Sequence, residues 1–139
     1  MRLCVVDCSF AMAWMCADEK NAVADELLAR IEQADSIVVP AVLWALEVRN
    51  ALRTAVGRKR LTAAAAEAMR LAMLDLPRIT VSCPPGLGDE MDRLVRECDL
   101  TSYDAVYLAV AMEHGLPLAT TDAQLVAAAR KVGVDRFGE

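Results

Sequence analysis

The chain has 139 residues, 56% of them hydrophobic and 25% charged, with six glycines and five prolines, a make-up that excludes a disordered, collagenous or linker-rich chain. Its formal net charge of −5 at pH 7 argues against a nucleic-acid partner held by bulk electrostatics alone. Five cysteines, odd in number and without a C-x-x-C pair, exclude a disulfide framework and a zinc knuckle.

Met1-Arg2 is followed by only four apolar residues before Asp7, too few for an export signal, and the longest uncharged stretch, residues 36–46, is far too short to cross a membrane. A soluble, cytoplasmic protein with reduced, buried thiols is expected. Residues 3–7 (LCVVD) have the pattern of a buried parallel strand with an acid at its carboxyl end. Residues 21–31 place Val23, Leu27, Leu28 and Ile31 on one face of a helix, with Asp25, Glu26 and Arg30 on the other. Residues 36–39 (SIVV) predict a second strand, with Pro40 at an N1-like position and a helix over 41–56 closed by Gly57. Another helix over 61–74 is stopped by Pro77. Residues 78–83 (RITVSC) predict a third strand before the Pro84-Pro85-Gly86 turn. There follow a polar-faced helix over 87–98, a far more apolar one over 101–113, a strand over 118–120, a helix over 122–131 and a short edge strand over 134–137. Strands separated by helices predict βαβ units, hence a mostly parallel sheet covered on both faces, in one domain spanning residues 1–139.

Ligands of open parallel sheets bind beyond the carboxyl ends of the strands, so acids there are the first candidates for chemistry. Asp7 closes the first strand and Asp122 follows the fourth, in LATTDAQL; Asp104 opens the most apolar helix, in LTSYDAVYLAVAM. Capping is the ordinary explanation for an aspartate at a helix start, and it suits Asp104 best, three residues after Thr101. Glu47 lies well inside a helix, where no capping role exists. Arg49 and Arg53 do not share its face, whereas Asn50 and Ala51 do. A carboxylate among apolar neighbours calls for a counter-charge, and Mg²⁺ or Mn²⁺ would take such oxygen ligands. Ser9, Asn50, Thr120 and Thr121 are the small polar residues placed to orient them, local capping being the alternative. His114 reads as a helix C-terminal residue complementing the dipole. No phosphate-binding G-x-x-x-x-G-K-[ST] loop and no G-x-S-x-G elbow is present, and a thiol nucleophile at Cys8 is disfavoured by the neighbouring carboxylate.

The motifs VVDCSFAMAW, ALEVRNAL, LTSYDAVYLAVA and LATTDAQL, in this order and at these separations, resemble those of PIN-domain proteins of the bacterial VapC toxin type, over nearly the whole chain. The resemblance implies a three-layer α/β/α sandwich. It places the family's metal-binding acids on Asp7, Glu47, Asp104 and Asp122, its hydroxyl positions on Ser9 and Thr120, and its asparagine on Asn50. The aromatic often found beyond the fourth acid is Leu125 here. Implied with it are a Mg²⁺- or Mn²⁺-dependent endoribonuclease that blocks translation by cutting RNA, a VapB-like antitoxin that holds it inactive, and a homodimer.

On that reading Asp7, Glu47 and Asp104 ligate the ion directly or through water, and Asp122 anchors a second ion or the water. Acidified water would attack the phosphorus in line, leaving a 5′ phosphate and a 3′ hydroxyl. Bound cations also answer the objection raised by the net charge. Arg49, Arg53, Arg58, Lys59 and Arg60, five of the fifteen basic residues, form a candidate stripe for the RNA backbone, a solvated helix face being the alternative. Trp14 and Tyr103 lie nearest the acids for base stacking. Residues 10–14 and the helix over 21–31 are the expected source of exposed apolar side chains for an antitoxin. A signalling receiver is disfavoured because Asp7 stands alone and LATTD carries no lysine; a haloacid-dehalogenase-type phosphatase needs D-x-D, where this chain has Asp7-Cys8-Ser9. The remaining alternative is a non-catalytic PIN-fold module that binds RNA or protein.

Overall fold

Four short apolar segments pair into one sheet that is parallel throughout. In the computed structural model, which describes all 139 residues, β1 (Arg2–Val6), β2 (Ser36–Pro40), β3 (Arg78–Val81) and β4 (Leu118–Ala119) lie in the order β3-β2-β1-β4. Val5 stands opposite Val38 on one side and Leu118 on the other, and Val38 opposite Ile79. Cys4, Val5, Val6, Ile37, Val38, Leu118 and Ala119 are wholly buried. Helices cover both faces of the sheet, which is why these strands read as unbroken apolar runs rather than alternating ones.

The helices fall into two layers. In the first, α1 (Cys8–Met15) packs on α2 (Ala22–Glu32) and α3 (Leu43–Gly57), and α3 packs on α4 (Ala63–Asp75) and β2. In the second, α6 (Ser102–His114) packs on α5 (Asp89–Cys98), α7 (Ala123–Val132) and strands β1, β2 and β4. Sandwiched in this way, α6 buries Ala105, Tyr107, Leu108, Ala109, Val110 and Ala111 around most of its circumference. The architecture is the expected three-layer α/β/α sandwich, and both layers deliver helix ends to the carboxyl edge of the sheet.

Several boundaries differ from the sequence expectation for physical reasons. Pro40 is not the first helical residue: it is the last residue of β2, paired with Val81, where a missing N–H costs no ladder bond. The turn into α3 centres on Val42 (φ 67°, ψ −50°), with Leu43 N donating to Ala41 O at 2.7 Å. This is a γ-turn on a β-branched residue, a strained arrangement at a sheet edge. Gly57 belongs to α3 and Arg58 is its C-cap. The third strand stops at Val81, two residues short. The expected edge strand over 134–137 reduces to a single parallel bridge between Leu118 and Arg136. Helix α1 carries no amphipathic signal in the sequence because Phe10, Ala11, Ala13 and Met15 are buried on most sides of it.

Candidate metal centre

β1 ends one residue before Asp7, which is the N-cap of α1 and is only 6% exposed. Its Oδ1 accepts from Ser9 N at 3.0 Å and Ser9 Oγ at 2.5 Å, and its Oδ2 accepts from Thr120 Oγ1 at 2.5 Å. The same hydroxyls receive the start of α7: Thr121 N donates to Ser9 Oγ at 2.8 Å and Asp122 N to Thr120 Oγ1 at 3.0 Å. Burial pushes the Asp7 carboxyl up to about 6, against the hydrogen bonds from Ser9 and Thr120. The hydroxyls therefore position the carboxylate without neutralising it.

Glu47 sits one turn into α3, half-buried, with Oε1 accepting from the Tyr107 hydroxyl at 2.5 Å. Burial raises its carboxyl, the Tyr107 bond opposes this, and the charge of Asp104 raises it further. Asp104 lies in the first turn of α6 but does not cap it; Thr101 does, its Oγ1 accepting from Asp104 N at 3.2 Å. Burial and the charge of Asp122 raise the Asp104 carboxyl. Asp122 is exposed and does cap, its Oδ1 accepting from Leu125 N at 3.0 Å. Capping thus accounts in part for Asp7 and Asp122 and not at all for the side chains of Asp104 and Glu47.

Hydrogen bonds and the electrostatic influence of neighbouring charges link these groups. Tyr107 touches Glu47 and feels Asp7; Glu47 feels Asp104; Asp104 feels Asp122; Thr120 links Asp122 back to Asp7. None of the four acids takes part in a salt bridge. Cys8 reports the same field: burial first, then Glu47, Asp7 and Glu19, push its thiol up to about 12, which suits no thiolate nucleophile. Carboxylates in one another's field without a basic partner offer oxygen donors only, the donor type that suits a hard divalent cation.

The structure places the remaining candidates less uniformly. Ser9 and Thr120 stand at the centre, but Asn50 is exposed and makes no hydrogen bond to any of the four acids. It lines a groove of about 650 Å³ between α3 and α4, together with Arg49, Arg53 and Arg70. Arg58 and Lys59 are exposed in the α3–α4 connection. Arg60 folds away from that stripe onto Asp18 and Glu19, so it is not a free cation. Tyr103 is 64% exposed beside Asp104. Phe10 is buried and Trp14 is half-buried with Nε1 donating to Ala24 O at 2.7 Å, so residues 10–14 do not supply the apolar surface expected of them. Helix α2 likewise turns Ala24, Leu27 and Ile31 into the core. The residue that sequence reasoning missed is Tyr107. Its signal was a tyrosine three positions after Asp104 in the most apolar helix, where a buried hydroxyl requires an acceptor.

Comparison with known proteins gives consistent findings. A family model described as PIN domain matches residues 4–131. The crystal structure of PAE2754 from Pyrobaculum aerophilum is similar with a TM-score of 0.69 and 29% identity, over 91% of this chain and 84% of that one. FitAcB from Neisseria gonorrhoeae is similar in fold alone, with a TM-score of 0.55 and 14% identity over 99% of this chain and 97% of the other. No curated protein matches. No helix is long and apolar enough to cross a membrane.

Proposed function

The chain belongs to the PIN domain family, and from that premise we propose that it is a VapC-type toxin. On this reading it is a cytoplasmic endoribonuclease, a single domain over residues 1–139, dependent on Mg²⁺ or Mn²⁺ and restrained by a VapB-like antitoxin. One observation carries the proposal: Asp7, Glu47, Asp104 and Asp122 stand at or near the ends of elements along the carboxyl edge of the sheet, neighbours among them within electrostatic reach, with no basic side chain paired to any of them.

Asp7, Glu47 and Asp104 would hold the cation, with Asp122 completing the set on the solvent side. When bound, the ion acidifies water and offsets charge on a phosphodiester. Ser9 and Thr120 hold Asp7 by both oxygens, so its geometry is set before any ligand arrives. Above about pH 6 Asp7 is ionised and able to ligate; below it, a proton competes. Arg49, Arg53, Arg58 and Lys59 supply backbone contacts to RNA, and the exposed ring of Tyr103 offers a surface for a splayed base. The exposed side chains of Val42 and Leu46, at the same edge, support a protein partner, whether antitoxin or second subunit.

The test is cleavage of single-stranded RNA by wild type and Asp7→Ala, each with Mg²⁺, with Mn²⁺ and with EDTA. Products bearing 5′ phosphates, formed by wild type only and only with metal, are expected. Equal RNA binding by both forms without any cleavage would instead identify a non-catalytic binding module.

A further inference from the structure

Asp7 and Glu47 differ in how their oxygens are engaged. Both oxygens of Asp7 accept hydrogen bonds, from Ser9 and from Thr120. In Glu47, Oε1 accepts from the Tyr107 hydroxyl at 2.5 Å and Oε2 accepts none. Tyr107 is 1% exposed and stands in the helix layer opposite Glu47, 60 positions away in sequence, and its hydroxyl has no other partner. A phenol buried so deeply is costly without an acceptor, and a bond from a phenol to a carboxylate is among the stronger kinds. The pair therefore pins one oxygen of Glu47 and leaves the other without a hydrogen-bond partner. A carboxylate held in this way is set to ligate through a single oxygen. Mg²⁺ accepts such ligands in a small octahedral set, whereas Ca²⁺ gathers more oxygens and often takes both from one carboxylate.

Resting on the metal centre proposed above, we propose that Tyr107 is a positioning residue that confines Glu47 to single-oxygen ligation and so makes the site favour Mg²⁺ and Mn²⁺ over Ca²⁺. The hydroxyl acts through Glu47 and does not itself touch the ion.

Calorimetric titration of Mn²⁺ and of Ca²⁺ into metal-free wild type and Tyr107→Phe at pH 7.5 tests this, since the variant keeps the ring and loses only the hydroxyl. The expected result is a Mn²⁺ affinity lower by about 10–100-fold, the usual cost of losing a group that orients a ligand. The affinity for Ca²⁺ should hold steady, so that the preference between the ions shrinks by a similar factor. A parallel loss for both ions, or an unchanged preference, would overturn the proposal and leave Tyr107 a packing residue. A folded wild type that binds no Mn²⁺ would overturn the metal centre itself, and this proposal with it. A second measurement needs no change at Tyr107. The chain has two tyrosines, so labelling tyrosine Cζ with carbon-13 gives two signals, assigned with Tyr103→Phe. Saturation with Mg²⁺ is expected to shift the Tyr107 signal; a signal unmoved at calorimetric saturation would contradict the proposed contact.

Discussion

Two groups of acids lie on this molecule, and they differ in what stands opposite them. Just after α1, Cys16, Asp18 and Glu19 bring their ligand atoms within 4.8 Å of one another, the more compact grouping. Arg60 closes on it, with Nε 3.1 Å and Nη2 3.0 Å from the two Asp18 oxygens and Nη2 2.6 Å from Glu19. The Arg60 guanidinium holds the Asp18 carboxyl below its ordinary value. At the sheet edge the opposite happens: burial raises Asp7, Glu47 and Asp104, and no arginine or lysine answers them. Compactness alone would favour the first group as a cation site; charge satisfaction favours the second, because the first already has its cation and a thiol among its donors.

The comparison breaks most visibly under substitution. Asp7→Ala should reduce RNA cleavage by more than the ~10–100-fold that follows loss of an outer-shell partner, while Asp18→Ala leaves the rate close to wild type in the same assay. Metal addition is the next largest effect. At about a hundred times its dissociation constant, Mn²⁺ should stabilise the wild type by about 2.7 kcal/mol at pH 7.5, read as a rise in melting temperature. The rise should be smaller at pH 5, where Asp7 carries a proton, and should survive replacement of Asp18 and Glu19 by their amides.

The pH dependence of the metal-free protein sharpens the same contrast. The folded Asp7 carboxyl titrates near 6 against an ordinary 3.8, so the folded state binds the proton more tightly. The stability this confers is fully present below about pH 4 and is lost as pH rises through about 6, amounting to roughly 2–3 kcal/mol. Asp7→Asn should flatten that part of the profile in denaturant titrations and raise metal-free stability at pH 7.5. The smallest effect belongs to the paired cluster. Arg60→Gln should lower stability slightly in dilute buffer, a loss that high salt erases, and should leave Mn²⁺ affinity unchanged.

Much of the architecture was legible because apolar runs such as LCVV at residues 3–6 and SIVV at 36–39 announce buried parallel strands, and acids at strand ends stand out once the sheet is drawn. Helix termini followed local chemistry at Asn21, Thr62, Thr101, Gly115 and Gly133, all of which cap as their side chains or backbone freedom dictate. Partnerships between segments distant in sequence were not legible. Tyr107 reaches Glu47 across 60 positions, and Arg60 reaches Asp18 across 42, so neither pairing leaves a trace in periodicity. The same blindness assigned Arg60 to an RNA stripe, because a helical wheel shows which residues share a face and not what that face meets. Pro40 misled for a related reason: its fixed φ suits a helix start and a strand end alike, and pairing with Val81 decided between them.

The most direct measurement is anomalous diffraction from crystals grown with Mn²⁺ at pH 7.5. A manganese peak among Asp7, Glu47 and Asp104, with Asp18 and Glu19 still bound to Arg60, is the expected result. Manganese found only at Cys16, Asp18 and Glu19, with the four acids at the sheet edge unligated at saturating metal, would contradict it.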